Sequence, residues 1–247
     1  NKKMDEERDA SLVKASIFTE LMYRNFDHWR GEKRSHLFLF DIEKNEYTDL
    51  TFKSYAEVPP VDLGTDADYN FSPDGKEVAY TMNLDKQVAV STNNDIFIVN
   101  LDDAKKGEVV PAKMISVSKG NDCQPVYSPD GRYIAYTSMA RAGFEADRKT
   151  IMLYNRQTGE TRSLSEKIDL TVGQIIWSPD SKYIYFEAPN QIYNSIYRIA
   201  AVNGDLVCFQ KENDNNALVL TSDGETLFFK KMKSTMPMEI FKMKTNG

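Results

Sequence analysis

The chain has 247 residues, of which 41% are hydrophobic, so it is long and apolar enough to bury one large core or two small ones. Its formal net charge of -6 argues against nucleic acid and anionic membranes as partners, because both require concentrated Lys and Arg. No apolar stretch is long enough to span a bilayer, and the first residues lack the apolar centre of a signal peptide. These features predict a globular protein and leave open a signal peptide that has been removed.

Residues 1–34 show no internal repeat. Their apolar residues are scattered between charges: Leu12, Val13, Ile17, Leu21 and Met22. This pattern favours a long connecting segment, with some helix, that lies along the surface of the domain that follows.

A turn motif recurs four times along the rest of the chain. Ser-Pro-Asp-Gly occurs at 72–75 and 128–131, Ser-Pro-Asp-Ser at 178–181 and Thr-Ser-Asp-Gly at 221–224, with separations of 56, 50 and 43 residues. Such tetrapeptides favour a type I turn, because Pro fixes φ at the second position and Gly closes the turn. Each turn predicts a hairpin, and the spacing is close to the roughly 40–50 residues of a propeller blade.

Two more strands are predicted after each hairpin. Segments 96–100, 151–155, 196–199 and 240–243 all begin with Ile and form the third strand, and a Gly or Asn-Gly turn then leads to a fourth. Strands such as 183–186 are apolar on both faces, which is typical of sheets packed face to face around a ring.

The two ends of the repeat region are incomplete. Residues 36–50 match a third and fourth strand without a preceding turn motif, and the last residues stop in the turn after a third strand. The sequence therefore predicts an all-β fold, a β-propeller of four-stranded antiparallel blades in an incomplete ring of about four to five blades. Its parts are the N-terminal connecting segment 1–34 and a partial propeller 35–247, with a part-blade at 35–52 and blades at 68–117, 122–165, 172–210 and 216–247.

No motif for catalysis is present: Gly-x-Ser-x-Gly and both glycine-rich nucleotide-binding motifs are absent. His28 and His36 stand in no metal-binding spacing and are interpreted as structural, and Cys123 and Cys208 as a pair of buried thiols. The acidic residues of the turns are interpreted as turn formers and not as a calcium array: Asp74, Asp130, Asp180 and Asp223. No catalytic residue, metal or cofactor is expected in this chain.

The repeat resembles the Ser-Pro-Asp-Gly propeller repeats of the prolyl oligopeptidase family of serine peptidases and of the periplasmic Tol-system propeller. Residues 34–41 and 138–149 are similar to dipeptidyl-peptidase and acylaminoacyl-peptidase members of the peptidase family, in particular to the bacterial dipeptidyl peptidase V type. The resemblance covers essentially the whole chain. It implies a C-terminal α/β-hydrolase domain with a Ser-Asp-His triad, which the propeller caps. None of that triad matches a residue here, so the catalytic domain is expected to be absent from this chain.

The resemblance also suggests where a peptide would bind. In the dipeptidyl peptidase IV group, inter-blade glutamates bind the amino terminus of the substrate, and this sequence has no Glu-Glu pair in its inter-blade segments. The loop at 141–148 lies on the same side and offers Glu145 for the ammonium group, with Arg141, Arg148 and Phe144 beside it. In the alternative interpretation, Arg148 pairs with Glu145 or Asp147 to hold the hairpin, and Phe144 is a packing plug.

Two functions stay open. The first is a non-catalytic propeller fragment of a serine exopeptidase or oligopeptidase, which gates access and helps bind the amino terminus of a short peptide for a missing C-terminal hydrolase domain. The second is a stand-alone protein-binding propeller resembling that of the Tol system. The expected partners are the hydrolase domain of the same polypeptide and a short peptide, and a homodimer stays open. The resemblance implies a periplasmic or secreted location, with the cytoplasm as the alternative.

Overall fold

The computed structural model describes residues 2–15, 18, 21, 24–25, 27–31 and 33–246. Ile17 and Met22, two of the apolar positions noted in the connecting segment, lie outside the described residues, as does the side chain of His28. No helix within the described residues has the length and apolar character needed to cross a membrane.

The recurrent turn is built from its own side chains. In the first copy, Ser72 Oγ donates to Asp74 Oδ1 (2.6 Å) and accepts the N–H of Glu77 (2.9 Å), and Asp74 Oδ1 accepts the N–H of Lys76 (3.2 Å). The same three contacts recur at Ser128, Ser178 and Thr221. Gly75 closes its turn at φ +69°, a conformation that costs glycine little. The interpretation of the four aspartates as turn formers is confirmed.

The N-terminal region contains one helix and two small sheets. Their bounds are α1 (Lys2–Ala10), β1 (Arg24–Asn25), β2 (His28–Trp29), β3 (Phe38–Asp41) and β4 (Glu46–Asp49), with β1 paired to β2 and β3 to β4. His36 Nδ1 lies 2.7 Å from Asp49 Oδ2, so this histidine fastens the start of the β3–β4 hairpin, in agreement with its structural interpretation.

Two antiparallel sheets of four strands follow, each in sequential order. The first consists of β5 (Tyr69–Phe71), β6 (Glu77–Asn83), β7 (Asn94–Asn100) and β8 (Ala112–Met114). The second consists of β9 (Asp122–Tyr127), β10 (Tyr133–Ser138), β11 (Thr150–Asn155) and β12 (Thr161–Ser163). Short 3-10 helices at Val88–Val90 and Leu101–Asp103 lie in the loops of the first sheet.

The remaining strands form two further blades. They are β13 (Ile175–Trp177), β14 (Tyr183–Asn190), β15 (Tyr193–Ala200) and β16 (Leu206–Gln210), then β17 (Asp214–Leu220), β18 (Thr226–Lys233) and β19 (Met236–Lys244). One parallel contact between Asn194 and Asp214 links the two blades into a seven-stranded sheet. The predicted all-β fold of four-stranded antiparallel sheets is confirmed.

Successive blades pack face to face because alternate side chains of a strand point to opposite faces. In the β9–β12 blade, Ile134 and Tyr136 join the cluster shared with the preceding blade, whereas Ala135, Ile151 and Leu153 join the cluster shared with the following one. Similar clusters lie between the β3–β4 hairpin and the β5–β8 blade, and between the last two blades.

The outward faces of the β3–β4 hairpin and of the last blade carry exposed apolar side chains. Phe38 and Phe40 of β3 are about half exposed, while Leu37 and Leu39 pack inward. Ile240 of β19 is 76% exposed. Both of these faces therefore leave apolar side chains accessible within the described residues.

The prediction of two buried thiols is wrong for Cys208. Cys123 is fully buried on an inner strand, but Cys208 is exposed. The physical reason is its position on β16, the outer strand of its blade, where the first three side chains face solvent.

Candidate functional site

The loop singled out from the sequence connects β10 to β11. It leaves β10 at Ser138, while the Ser128 turn enters that strand at Tyr133, so the loop and the turn lie at opposite ends of the blade. The 84–93 loop between β6 and β7 and the crossings between blades share the end of the 139–149 loop, and we call this end the loop face.

A clamp between Arg141 and Asp147 closes the loop. Arg141 donates from Nε (3.0 Å) and Nη2 (2.8 Å) to Asp147 Oδ1, and Asp147 Oδ2 accepts the N–H groups of Arg141 (2.9 Å) and Ala140 (3.1 Å). The hydrogen bonds from Arg141 lower the pKa of Asp147 to about 2. Arg141 also lies 4.0 Å from the ring centroid of Phe144. Arg141 therefore shapes the loop.

Arg148 anchors the other side of the loop. Its guanidinium donates to the carbonyl oxygen of Glu166 (3.0 Å) and to that of Ile168, both in the crossing to the next blade. The alternative in which Arg148 pairs with Glu145 or Asp147 is therefore wrong: the carboxylate of Asp147 is occupied by Arg141. Arg148 instead fixes the loop to the adjacent inter-blade segment.

Phe144 is not a buried plug. Its ring is partly exposed beneath the guanidinium of Arg141. Next to it, Gly143 donates its N–H to Thr92 Oγ1 (2.9 Å) in the loop of the preceding blade. Gly143 thus joins the loop to the preceding blade, and Arg148 joins it to the crossing that leads to the next one. The Phe144 ring between them stays accessible.

Glu145 stands at the tip of this clamped loop. Its side chain is exposed and makes no hydrogen bond or ion pair with any residue that the structure describes. The negative charge of Glu145 adds to burial in raising the pKa of Asp62, so the two carboxylates are electrostatic neighbours. Asp62 belongs to the crossing between the β3–β4 hairpin and β5, and its backbone carbonyl accepts from Asn94 Nδ2 (3.1 Å).

Asp62 is the residue that sequence reasoning missed. The inter-blade segments contain no two adjacent glutamates, whereas in the structure one carboxylate comes from a crossing and its electrostatic neighbour from a loop of another blade. No described Lys or Arg forms an ion pair with either of them. The two acidic groups give this part of the loop face a negative potential, which favours a cationic group such as an ammonium.

A cavity of about 370 Å³ opens beside the loop. Its lining includes Arg141, Ala146, Arg148, Asp169, Thr171 and Pro189. Its volume is within the usual range for small-molecule sites. Neither Glu145 nor Asp62 lines this cavity.

No protein-family model matches the chain. It is 32% identical to dipeptidyl-peptidase 5 of Porphyromonas gingivalis over 203 residues, which is 80% of this chain and 29% of that protein. Among solved structures, TolB from Acinetobacter baumannii has a TM-score of 0.59 at 18% identity, over 86% of this chain and 46% of that one. Dipeptidyl peptidase 4 from Porphyromonas gingivalis has a TM-score of 0.59 at 12% identity, over 85% of this chain and 28% of that one.

The fold and these similarities define a β-propeller of the kind found in peptidases of the prolyl oligopeptidase family and in TolB. Within that class, the sequence relationship is to dipeptidyl-peptidase 5, so the resemblance noted from the sequence is confirmed. The chain spans less than a third of the length of that relative.

Proposed function

We propose that this chain is the non-catalytic propeller portion of a serine dipeptidyl peptidase, and that its loop face gates access and holds the amino terminus of a short peptide. The observation that carries the proposal is a pair of carboxylates that form no ion pair with any described residue: Glu145, on the loop clamped by Arg141 and Asp147, and its electrostatic neighbour Asp62, in the crossing that leads to β5. The similarity to dipeptidyl-peptidase 5 supports the same substrate class.

The proposed partner is an α/β-hydrolase domain of the same polypeptide, docked on the loop face. Several large apolar side chains are exposed in the loops and crossings at this face: Tyr55, Leu84, Val90, Val117 and Ile192. Exposed apolar side chains are one feature of a surface that another domain covers, and Ile42, Val109 and Val202 are similarly exposed at the opposite end. We propose a periplasmic or secreted location, which is what the resemblance noted in the sequence implies.

Binding of a short peptide tests the amine site. We expect Ala-Ala to bind the 247-residue chain weakly, N-acetylated Ala-Ala to bind more weakly, and Glu145→Gln to reduce affinity by a factor of about 1.4 to 5, because an exposed ion pair contributes about 0.2–1 kcal/mol. Glu108→Gln is the matched control, since Glu108 is exposed between β7 and β8 at the opposite end of the blade. Equal binding of the free and acetylated peptides would refute amine recognition.

A second candidate function is a stand-alone protein-binding propeller, which the structural similarity to TolB favours. The coding sequence downstream of residue 247 in the full gene distinguishes the two functions. A downstream Gly-x-Ser-x-Gly with Asp and His in the same reading frame supports the peptidase, because those residues supply nucleophile, orienting acid and base. A stop codon after a few further blades supports the stand-alone propeller.

A further inference from the structure

Asp122 is a buried acid that the proposed binding site does not use. It begins β9 and its side chain is 0% exposed. Its Oδ2 accepts the N–H of Ser118 (3.2 Å), whereas no described donor lies within hydrogen-bond distance of Oδ1. Burial raises the pKa of Asp122 to about 7, although the Ser138 hydroxyl and the Ser118 amide favour the ionised form.

No described Lys or Arg forms an ion pair with Asp122. Asp95, buried on β7 and bonded through Oδ1 to Ser116 Oγ (2.7 Å), adds a further negative group. The titratable residues of the surrounding elements are Asp68, Asp95, Lys119, Cys123, Tyr136 and Lys149. Neither lysine forms an ion pair with Asp122 within the described chain. An ionised Asp122 would therefore be a buried charge without an ion-pair partner.

The segment that holds Asp122 also holds the base of the 139–149 loop. Ser118 Oγ donates to the carbonyl of Met139, and Met139 donates its N–H to the carbonyl of Asn121 (3.0 Å). Gly120 packs so closely that a Cβ there would lie 2.2 Å from Met139 O. Residues 118–122 and Met139 therefore move together, and Met139 directly precedes the loop that carries Glu145.

We propose that Asp122 is a proton-controlled switch that sets the order of the loop at 140–149. Protonated Asp122 is neutral and tolerated in its buried position, so the contacts to Met139 stay closed. Loss of the proton leaves a buried charge, and the 118–122 segment opens to hydrate it, which releases the base of the loop. Binding of an amine at Glu145 and Asp62 then weakens above neutral pH. This last consequence rests on the proposed function, whereas the change in loop order does not.

Hydrogen exchange of the 247-residue chain, corrected for intrinsic exchange rates, tests the switch. Above about pH 7, protection of the 140–149 amides is expected to fall about tenfold per pH unit, because opening is coupled to release of one proton. Asp122→Asn is expected to abolish that fall, and Asp95→Asn, the matched control, to retain it. Protection that does not change with pH in the native chain, or that falls equally in Asp122→Asn, would overturn the proposal.

The native chain provides a second test that does not depend on the folding of a variant. The ¹³C resonance of the Asp122 carboxyl is expected to titrate near neutrality, whereas a midpoint near the ordinary value of about 4 would overturn the switch. Binding of Ala-Ala is measured separately. A peptide that fails to bind at every pH removes the proposed function and leaves the exchange result to decide the switch.

Discussion

Ile196 and Ile240 occupy the same position of consecutive blades, yet Ile196 is 0% exposed and Ile240 is 76% exposed. Ile196 pairs across its sheet with Glu187 and Ile240 with Lys230, each on the second strand of its blade. Ile196 packs against the following blade, in a cluster with Leu218 and Leu227. This position therefore faces the following blade, and on the last strand of the described chain no blade covers it.

This pair gives a matched test of packing between blades. Ile196→Ala should lower the free energy of unfolding by about 2–5 kcal/mol, because it leaves a cavity in a buried cluster. Ile240→Ala should change it by less than about 0.5 kcal/mol, since an exposed side chain loses little on truncation. Urea denaturation of the two variants measures both values. An equally large loss for Ile240→Ala would contradict the exposed position of that face.

The turn that departs from the repeated motif allows a second test. Ser181 stands where the other turns have Gly and adopts φ +58°, and its Oγ accepts the N–H of Asp130 (3.0 Å) in the turn of the preceding blade. Ser181→Ala keeps the unfavourable φ and loses the hydrogen bond, at a cost of about 1 kcal/mol. Ser181→Gly loses the same bond, but glycine adopts a positive φ at little energetic cost, so it should be the less destabilising change.

Thermal denaturation should therefore rank native chain, Ser181→Gly and Ser181→Ala from most to least stable. Gly131→Ala is the complementary control, because Gly131 has φ +69° and an alanine there would be strained. A Ser181→Ala variant as stable as the native chain would show that the contact to Asp130 contributes nothing.

The same serine shows how far the sequence predicts the structure. The turns and strands were predictable because each depends on residues within a few positions: Ser72, Asp74 and Gly75 make their contacts inside one hairpin. Contacts between blades were not predictable, because they depend on how consecutive sheets are arranged around the ring. For that reason the acidic neighbour of Glu145 and the carbonyl partners of Arg148 escaped the sequence, as did the exposure of Cys208.

The clamp at Asp147 predicts a loop that loosens in acid. Its hydrogen bonds with Arg141 hold the folded pKa at about 2, below the ordinary value of 3.8. A lowered folded pKa contributes stability that is present above about pH 4 and is lost as the pH falls toward 2. Protection of the 140–148 amides, corrected for intrinsic exchange rates, should fall in that interval, and Asp147→Asn should show low protection already at neutral pH. Equal protection of the variant and the native chain at neutral pH would show that the clamp does not hold the loop.

Asp122 has the opposite effect on global stability. Its pKa is raised by burial from 3.8 to about 7, so the folded chain retains a proton that the unfolded chain has released. The free energy of unfolding should therefore fall as the pH rises from about 4 to about 7, at about 1.4 kcal/mol per pH unit from this group. Asp122→Asn should flatten that part of the profile and be the more stable protein at neutral pH. Denaturation midpoints across the interval measure both effects, and parallel profiles would contradict the assignment.

The carboxylate pair makes a kinetic prediction for the full-length peptidase that would contain this chain. Glu145→Gln should raise KM for a dipeptide substrate with a free amino group and leave kcat nearly unchanged, because the ammonium is held equally in the ground and transition states. Asp62→Asn should act in the same direction. The proposed function has one ammonium group contacting both carboxylates, so the effect of the double variant is expected to differ from the sum of the single effects. N-acetylated substrates should not distinguish the variants from the native enzyme, and Glu108→Gln should change neither constant. An unchanged KM in Glu145→Gln would remove this residue from the binding site, and a fall in kcat alone would place its effect in the chemistry of the hydrolase.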